Sequence, residues 1–191
     1  MGSVPAAVGD RLDAVVARLA RAERLDRVAG RVAAAVDRVR PAALVDLASW
    51  LGYPLHPALT DLPIGFWTSA WVFDLVGGRE TRAAAQTLIG LGVVSAVPTV
   101  VTGMSDWAGT TGEARRIGFV HAAVNSVSVV CYGASWLARR RGHHAAGMAL
   151  GMVGATAATL AAYFGGHLVY RLGVGVRENS DDSRLAAARP G

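Results

Sequence analysis

Three histidines and two aspartates stand out in this sequence, because imidazole and carboxylate are the side chains that ligate metals and move protons. His56 stands beside Pro57 at the start of an apolar run, and Asp61 follows in its first turns. Asp106 lies in Gly103-Met104-Ser105-Asp106-Trp107, after a second run. His121 sits one turn into a third run, with Asn125 one turn deeper on the same side, and His167 ends a fourth beside Tyr170. Two of these imidazoles from facing helices could ligate a haem b iron, and three with a carboxylate could hold a non-haem transition metal. The cofactor-binding candidates are therefore His56, His121 and His167, and a metal set would add Asp61 and Asp106. Asp106 and Asn125 would also serve to orient imidazoles. The plainer alternative is that His and Asp near helix ends pair with one another, cap a helix or bond interfacial water. Asp61 in particular suits the positive end of a helix dipole.

Something must bring these residues together, and the composition says what. Of 191 residues, 52% are hydrophobic and only 17% charged, outside the usual soluble range. The apolar runs are Leu62 to Gly78, Ala83 to Gly103, Ile117 to Ala138 and Ala145 to Val169, each near the ~20 residues that cross hydrocarbon. Pro57 at a first helical position extends the first helix to about 57–77. The second carries Gly92 and Pro98, which predicts a kink, and Gly103 is expected to end it. The fourth has small residues at Gly147, Gly151, Ala155, Ala158 and Ala162, a spacing that lets helix backbones approach closely. The expectation is an all-α fold, a bundle of four transmembrane helices. Short connections alternate their direction, so the starts of the first and third helices share a membrane face with the ends of the second and fourth. That topology gathers the His and Asp residues at one face.

The remaining marked residues read as structural. Trp50 and Trp107 fall near one membrane face and Trp136 near the other, as amphipathic rings prefer. Trp67 and Trp71 lie one turn apart and read as packing, as does Cys131 at mid-span. Asp74 is expected to pair with Arg79 or Arg82, and His143 and His144, in an Arg-rich loop, read as solvated.

Ahead of the bundle, residues 1–49 form an Arg-rich amphipathic helical segment. Leu12, Val15, Val16 and Leu19 make one stripe, and Leu25, Val28, Val32, Val36 and Val39 another, offset by a break near Arg21 to Arg24. Opposite the second stripe lie Arg24, Arg27, Arg31 and Arg38. This face suits an anionic leaflet or another protein's helix, and equally a solvated side of a small helical hairpin. Residues 50–177 form the four-helix domain, and 178–191 read as a disordered tail. The net charge of +5 comes entirely from Arg, without the pattern of a nucleic-acid surface. The single Cys131 excludes an internal disulfide, a CxxC pair and an iron–sulfur cluster held by this chain's own thiolates. No charged n-region precedes an apolar h-region, so insertion is expected to begin from the first membrane helix. No nucleophile elbow, phosphate loop or HExxH sequence is present, which leaves soluble-type catalysis without support.

Two segments carry a family resemblance: His56-Pro57-Ala58-Leu59-Thr60-Asp61-Leu62-Pro63-Ile64-Gly65, and Gly165-Gly166-His167-Leu168-Val169-Tyr170-Arg171-Leu172-Gly173-Val174-Gly175-Val176. Over about residues 50 to 177 the chain resembles domain of unknown function family 2231, bacterial proteins expected to have four membrane helices. The resemblance implies an actinobacterial setting in which similar domains often stand immediately before a Rieske iron–sulfur domain, and hence electron transfer. The family's first motif usually has a second His where this chain has Asp61. Asp can ligate a hard metal but is no ordinary axial haem ligand. Past Val176 there is neither Cys nor His, so a Rieske-type partner would be a separate polypeptide.

The functional expectation is a small redox-associated subunit of the cytoplasmic membrane, multi-pass in the lipid bilayer, with haem b or a non-haem metal held by histidines at one face. The alternative is a cofactor-free anchor or assembly subunit whose N-terminal helices dock a partner. A transporter or proton channel is disfavoured, since the ionisable residues gather at one face and mark no path through the midplane. Arg residues flank both faces, so charge bias does not orient the bundle. The long Arg-rich N-terminal segment favours both termini in the cytoplasm.

Overall fold

The computed structural model describes residues 6–39 and 55–175, and every regular element in them is helical. Two short helices, α1 (Ala6–Ala20) and α2 (Asp26–Val39), precede four long ones: α3 (Leu55–Val76), α4 (Arg82–Ala108), α5 (Gly112–Arg140) and α6 (His144–Tyr170). Three helical stretches are long and apolar enough to cross a membrane, Arg79–Ala108, Gly112–Arg140 and His144–Tyr170. At 1.5 Å per residue, the 29 residues of α5 reach roughly 43 Å, enough for hydrocarbon and both headgroup layers. The expected fourth span, α3, falls outside that set. It has 22 residues, but His56, Thr60, Asp61, Asp74 and two prolines dilute its hydropathy. Trp50, residues 40–54 and the tail expected from 178 lie outside the described residues.

The helices run longer than their apolar cores. α4 continues through Pro98 and through Gly103, the expected stop, so that Asp106 and Trp107 belong to its last turn. Gly103 serves as a space inside the helix and not as its stop: a Cβ there would collide with another side chain. α5 and α6 are joined by Arg141 to His143. His143 N donates to Ala138 O at 2.9 Å and Gly142 N to Arg139 O at 3.0 Å, a Schellman ending that requires Gly142 at φ 81°.

α5 and α6 pack along their whole lengths in one repeating register. Ser128 Oγ donates to Gly154 O at 2.9 Å, Ser135 Oγ donates to Gly147 O at 2.6 Å, and a nitrogen of His121 meets Ala161 O at 2.9 Å. Each step of seven along α5 is answered by a step of seven back along α6, the signature of left-handed antiparallel packing. The buried positions of α6 from Gly147 to Ala161, namely Gly147, Gly151, Gly154, Ala157 and Ala161, are small enough to bring its carbonyls within reach. Tyr132 lies over Gly154 and stacks on Trp67 of α3, with ring centroids 3.9 Å apart, while Trp67 Nε1 donates to Ile89 O of α4 at 3.3 Å. The outward faces carry Val94, Val97, Val100, Val127, Val130, Met152, Val153 and Leu160, all exposed, as lipid-facing positions should be.

Asp74 departs from expectation. Its carboxylate is gripped by Arg139 of α5, with Nη1 to Oδ1 at 2.9 Å and Nη2 to Oδ2 at 2.6 Å, in place of the neighbouring Arg79 or Arg82. Both side chains are at most 2% exposed, and Arg139 Nε also reaches Ser135 Oγ at 3.3 Å. His144, read as solvated, has its side chain 18% exposed and Nε2 3.5 Å from Asp74 Oδ1. Sequence neighbours lost this contest because a bidentate fork from across the bundle satisfies both oxygens in a dry site.

The break between α1 and α2 falls where the offset stripes placed it, with a short 3-10 turn at Glu23–Leu25. The hairpin lies against the bundle. Val16 is buried in a cluster with Ile117, Phe164 and Leu168. α2 docks with only part of its valine stripe: Ala29 and Ala33 are buried against Trp107 with Val32 packed beside them, while Val28 and Val39 are exposed. Alanine permits the close approach that a flat indole face rewards. Arg24, Arg27, Arg31 and Arg38 remain exposed.

Removing one member of the buried pair should be far worse than removing both. Asp74→Ala leaves a buried guanidinium without its anion and is expected to cost about 3–5 kcal/mol, whereas Asp74→Leu with Arg139→Met should approach wild-type stability. Detergent-solubilised unfolding of the three proteins checks this; equal losses in single and double variants would contradict it.

Candidate functional site

His56 and His121 meet between α3, α4, α5 and α6. Their ring centroids are 6.5 Å apart and the planes stand at 88°. His56 Nδ1 is 2.8 Å from the main-chain oxygen of Thr99 on α4, and His121 Nδ1 is 2.9 Å from that of Ala161 on α6. A carbonyl oxygen can only accept, so both rings carry their proton on Nδ1 and donate it. In the neutral rings Nε2 is then the basic nitrogen. On His121 that nitrogen accepts from Asn125 Nδ2 at 3.0 Å, one turn deeper on the same helix.

The neighbouring helices are shaped around these rings. A Cβ on Gly103 would stand 2.6 Å from His56 Nδ1, and one on Gly165 would stand 3.0 Å from His121 Cε1. Thr99, whose carbonyl holds His56, ties α3 to α4 a second time by donating its hydroxyl to Leu59 O at 3.1 Å. Thr99, Gly103, Ala161 and Gly165 thus complete the pair. Thr99 and Ala161 were not singled out in the sequence, and Gly103 and Gly165 drew attention only as an expected helix stop and as part of a motif, because a main-chain carbonyl or a missing Cβ has no chemical label of its own.

The other candidates are distributed differently. His167 turns toward the start of α5, with Nε2 3.7 Å from Glu113 Oε1. Asp61 and Asp106 are exposed on α3 and α4. Among the described residues, no three His, Cys, Asp or Glu side chains come together as a metal-holding group. Two imidazoles converge at the centre of this end, while His167 and the carboxylates stand around it.

The hairpin closes the same end. Arg116 donates from Nε to Asp26 Oδ1 and from Nη2 to Asp26 Oδ2, both at 2.7 Å, and from Nη1 to Ala20 O. Tyr163 of α6 donates its hydroxyl to Asp13 Oδ1 at 2.5 Å. The paired guanidinium holds the Asp26 carboxyl below the usual carboxylate range, chiefly through its hydrogen bonds.

Two outcomes follow. Because the Asp26 pKa is depressed on docking, its contribution is complete above the undocked value near ~4 and is lost progressively as pH falls from there through the lower docked value. Protection of α2 amides from hydrogen exchange, relative to their intrinsic rates, should therefore fall below about pH 4 and change less with pH in Asp26→Asn, which lacks the titration. Gly103→Ala should destabilise the protein by about 1–3 kcal/mol by pushing on His56. The same change made in His56→Ala should cost much less; an unchanged cost would mean that the ring is not what Gly103 accommodates.

With this geometry in hand, comparison with known proteins adds one finding. The family described as a predicted membrane protein, DUF2231, matches residues 52–178, from just before α3 to just beyond α6. No curated protein and no solved structure matches the chain.

Proposed function

Since this chain belongs to the DUF2231 family of predicted membrane proteins, we propose that it is a four-span subunit of the cytoplasmic membrane in which His56 and His121 hold one haem iron. The observation that carries this reading is the shared commitment of both Nδ1–H groups to main-chain carbonyls of neighbouring helices. Metal-ligating histidines are oriented in this way, with the opposite nitrogen left to bind. With ring centroids 6.5 Å apart, His56 and His121 are the two side chains that would hold the iron. Two imidazoles would hold a haem iron, whereas a non-haem ion would need further protein ligands. Bound haem would supply one-electron chemistry. The chain's own part is to fix the two rings through Thr99 and Ala161, with Asn125 swinging off His121 Nε2.

In this reading α3 is the fourth span. Its outer side carries exposed Ile64, Val72, Phe73, Leu75 and Val76, and its inner carboxylate is neutralised by Arg139. With the Arg-rich hairpin in the cytoplasm, the imidazole pair opens to that side, where a separate iron–sulfur protein of the Rieske type could exchange electrons with it.

A second reading, a cofactor-free anchor or assembly subunit, is favoured by one observation: the Asn125 amide already occupies His121 Nε2. The two are separated by an oxidised and reduced absorption spectrum, with metal analysis, on protein expressed with haem and iron supplied. Haem reading predicts a stoichiometric Soret band lost in His56→Ala and in His121→Ala, and kept in His167→Ala and Asn125→Ala. A folded, colourless, metal-free preparation would remove it and leave the anchor.

A further inference from the structure

At the end of the bundle away from the imidazole pair, the α3–α4 connection and the start of α6 enclose a cavity of about 250 Å³ whose lining includes Phe73, Asp74, Arg79, Arg82, His144 and Met148. Cations predominate around it, with Arg79 and Arg82 set against one neighbouring carboxylate, that of Glu80, which lies beside the lining residue Gly78. Asp74 is neutralised, since both its oxygens are taken by Arg139 behind it. Arg79 and Arg82 are exposed and enter no ion pair among the described residues. Arg82 and His144 open α4 and α6, so the positive ends of two long helices border the same space. Beside these cations stand Phe73 and Met148, and just outside them Leu75 and Val76 are 73% and 80% exposed. An anion with hydrocarbon attached satisfies both halves of this surface.

We propose that this cavity binds a phosphate group, that of an anionic phospholipid, with Arg79 and Arg82 as its charge partners and the Leu75–Val76 edge as the seat of its acyl chains. The inference uses the four-span reading only to set this end at headgroup level, and it is independent of whether haem binds at the other.

The test uses the full chain in mild detergent, delipidated, and titrated with dioctanoyl phosphatidylglycerol, dioctanoyl phosphatidylcholine or inorganic phosphate while binding heat and melting temperature are followed. Phosphatidylglycerol should bind saturably and more tightly than phosphatidylcholine. Arg79→Gln with Arg82→Gln should weaken it by about tenfold or more. Arg140→Gln with Arg141→Gln, on the same face outside the cavity, should change it by less than about twofold. Met148→Trp, which fills the cavity with both arginines kept, should also weaken it. Inorganic phosphate bound as well as the lipid, with the same arginine dependence, would keep the phosphate site and identify free phosphate as its ligand. Equal binding of the two lipids, equal loss in the two double variants, or no saturable binding of either lipid or phosphate would overturn the proposal. Because each variant's melting transition is read in the same titration, a protein that has lost its bundle is recognised as such and would count against the four-span reading instead.

Discussion

Every polar side chain on the inner face of α5 has to find its partner inside the protein, because hydrocarbon offers none. This constraint organises the bundle. His121, Ser128 and Ser135 each reach a main-chain oxygen of α6, and Arg139 reaches a carboxylate of α3. Such reach is possible only if α6 presents carbonyls unshielded by side chains, so its buried face is glycine and alanine from Gly147 to Ala161, and large residues, Phe164 and Leu168, enter it only beyond the last of these contacts. The choice of small residues on one helix and of hydroxyl, imidazole and guanidinium on the other is a single decision seen from two sides.

The two ends of the seam are finished differently. At one, a guanidinium and a carboxylate close on each other in a nearly waterless site, which fixes α3 against α5. At the other, two imidazoles use one nitrogen each for structure, and only one of the remaining two is engaged, by Asn125. Structural staples are normally satisfied on all sides. The ion pair engages both oxygens and both terminal nitrogens of its partners, whereas each imidazole is tied to a main-chain carbonyl through Nδ1.

The helical architecture was legible because apolar runs of membrane length have few other meanings, and the hairpin break could be placed from two stripes that do not align. The pairing of His56 with His121 was legible from topology alone, since alternating helices bring the starts of the first and third to one face. What stayed hidden depended on distances across the bundle. Asp74 has two arginines within a few residues, yet the one that binds it is 65 positions away. His167 sits in a motif that draws attention, but its ring faces Glu113. The valines of α2 made the stronger periodic signal, while its alanines make the buried contact with Val32 alone of the valines beside them, because close approach to Trp107 favours small size over hydrophobic bulk.

The sevenfold step between α5 and α6 bears on how such a chain can change length. Deleting one residue between Ser128 and Ser135 would turn everything beyond it by about 100° and point the lower half of the seam into lipid. Removing seven residues from α5 and the facing seven from α6 would restore every donor to a carbonyl and shorten both helices by roughly 10 Å. Bilayer thickness can therefore be followed by this helix pair only in whole heptads, and only by both helices together. Smaller mismatches must be met by tilting the bundle or deforming the lipid.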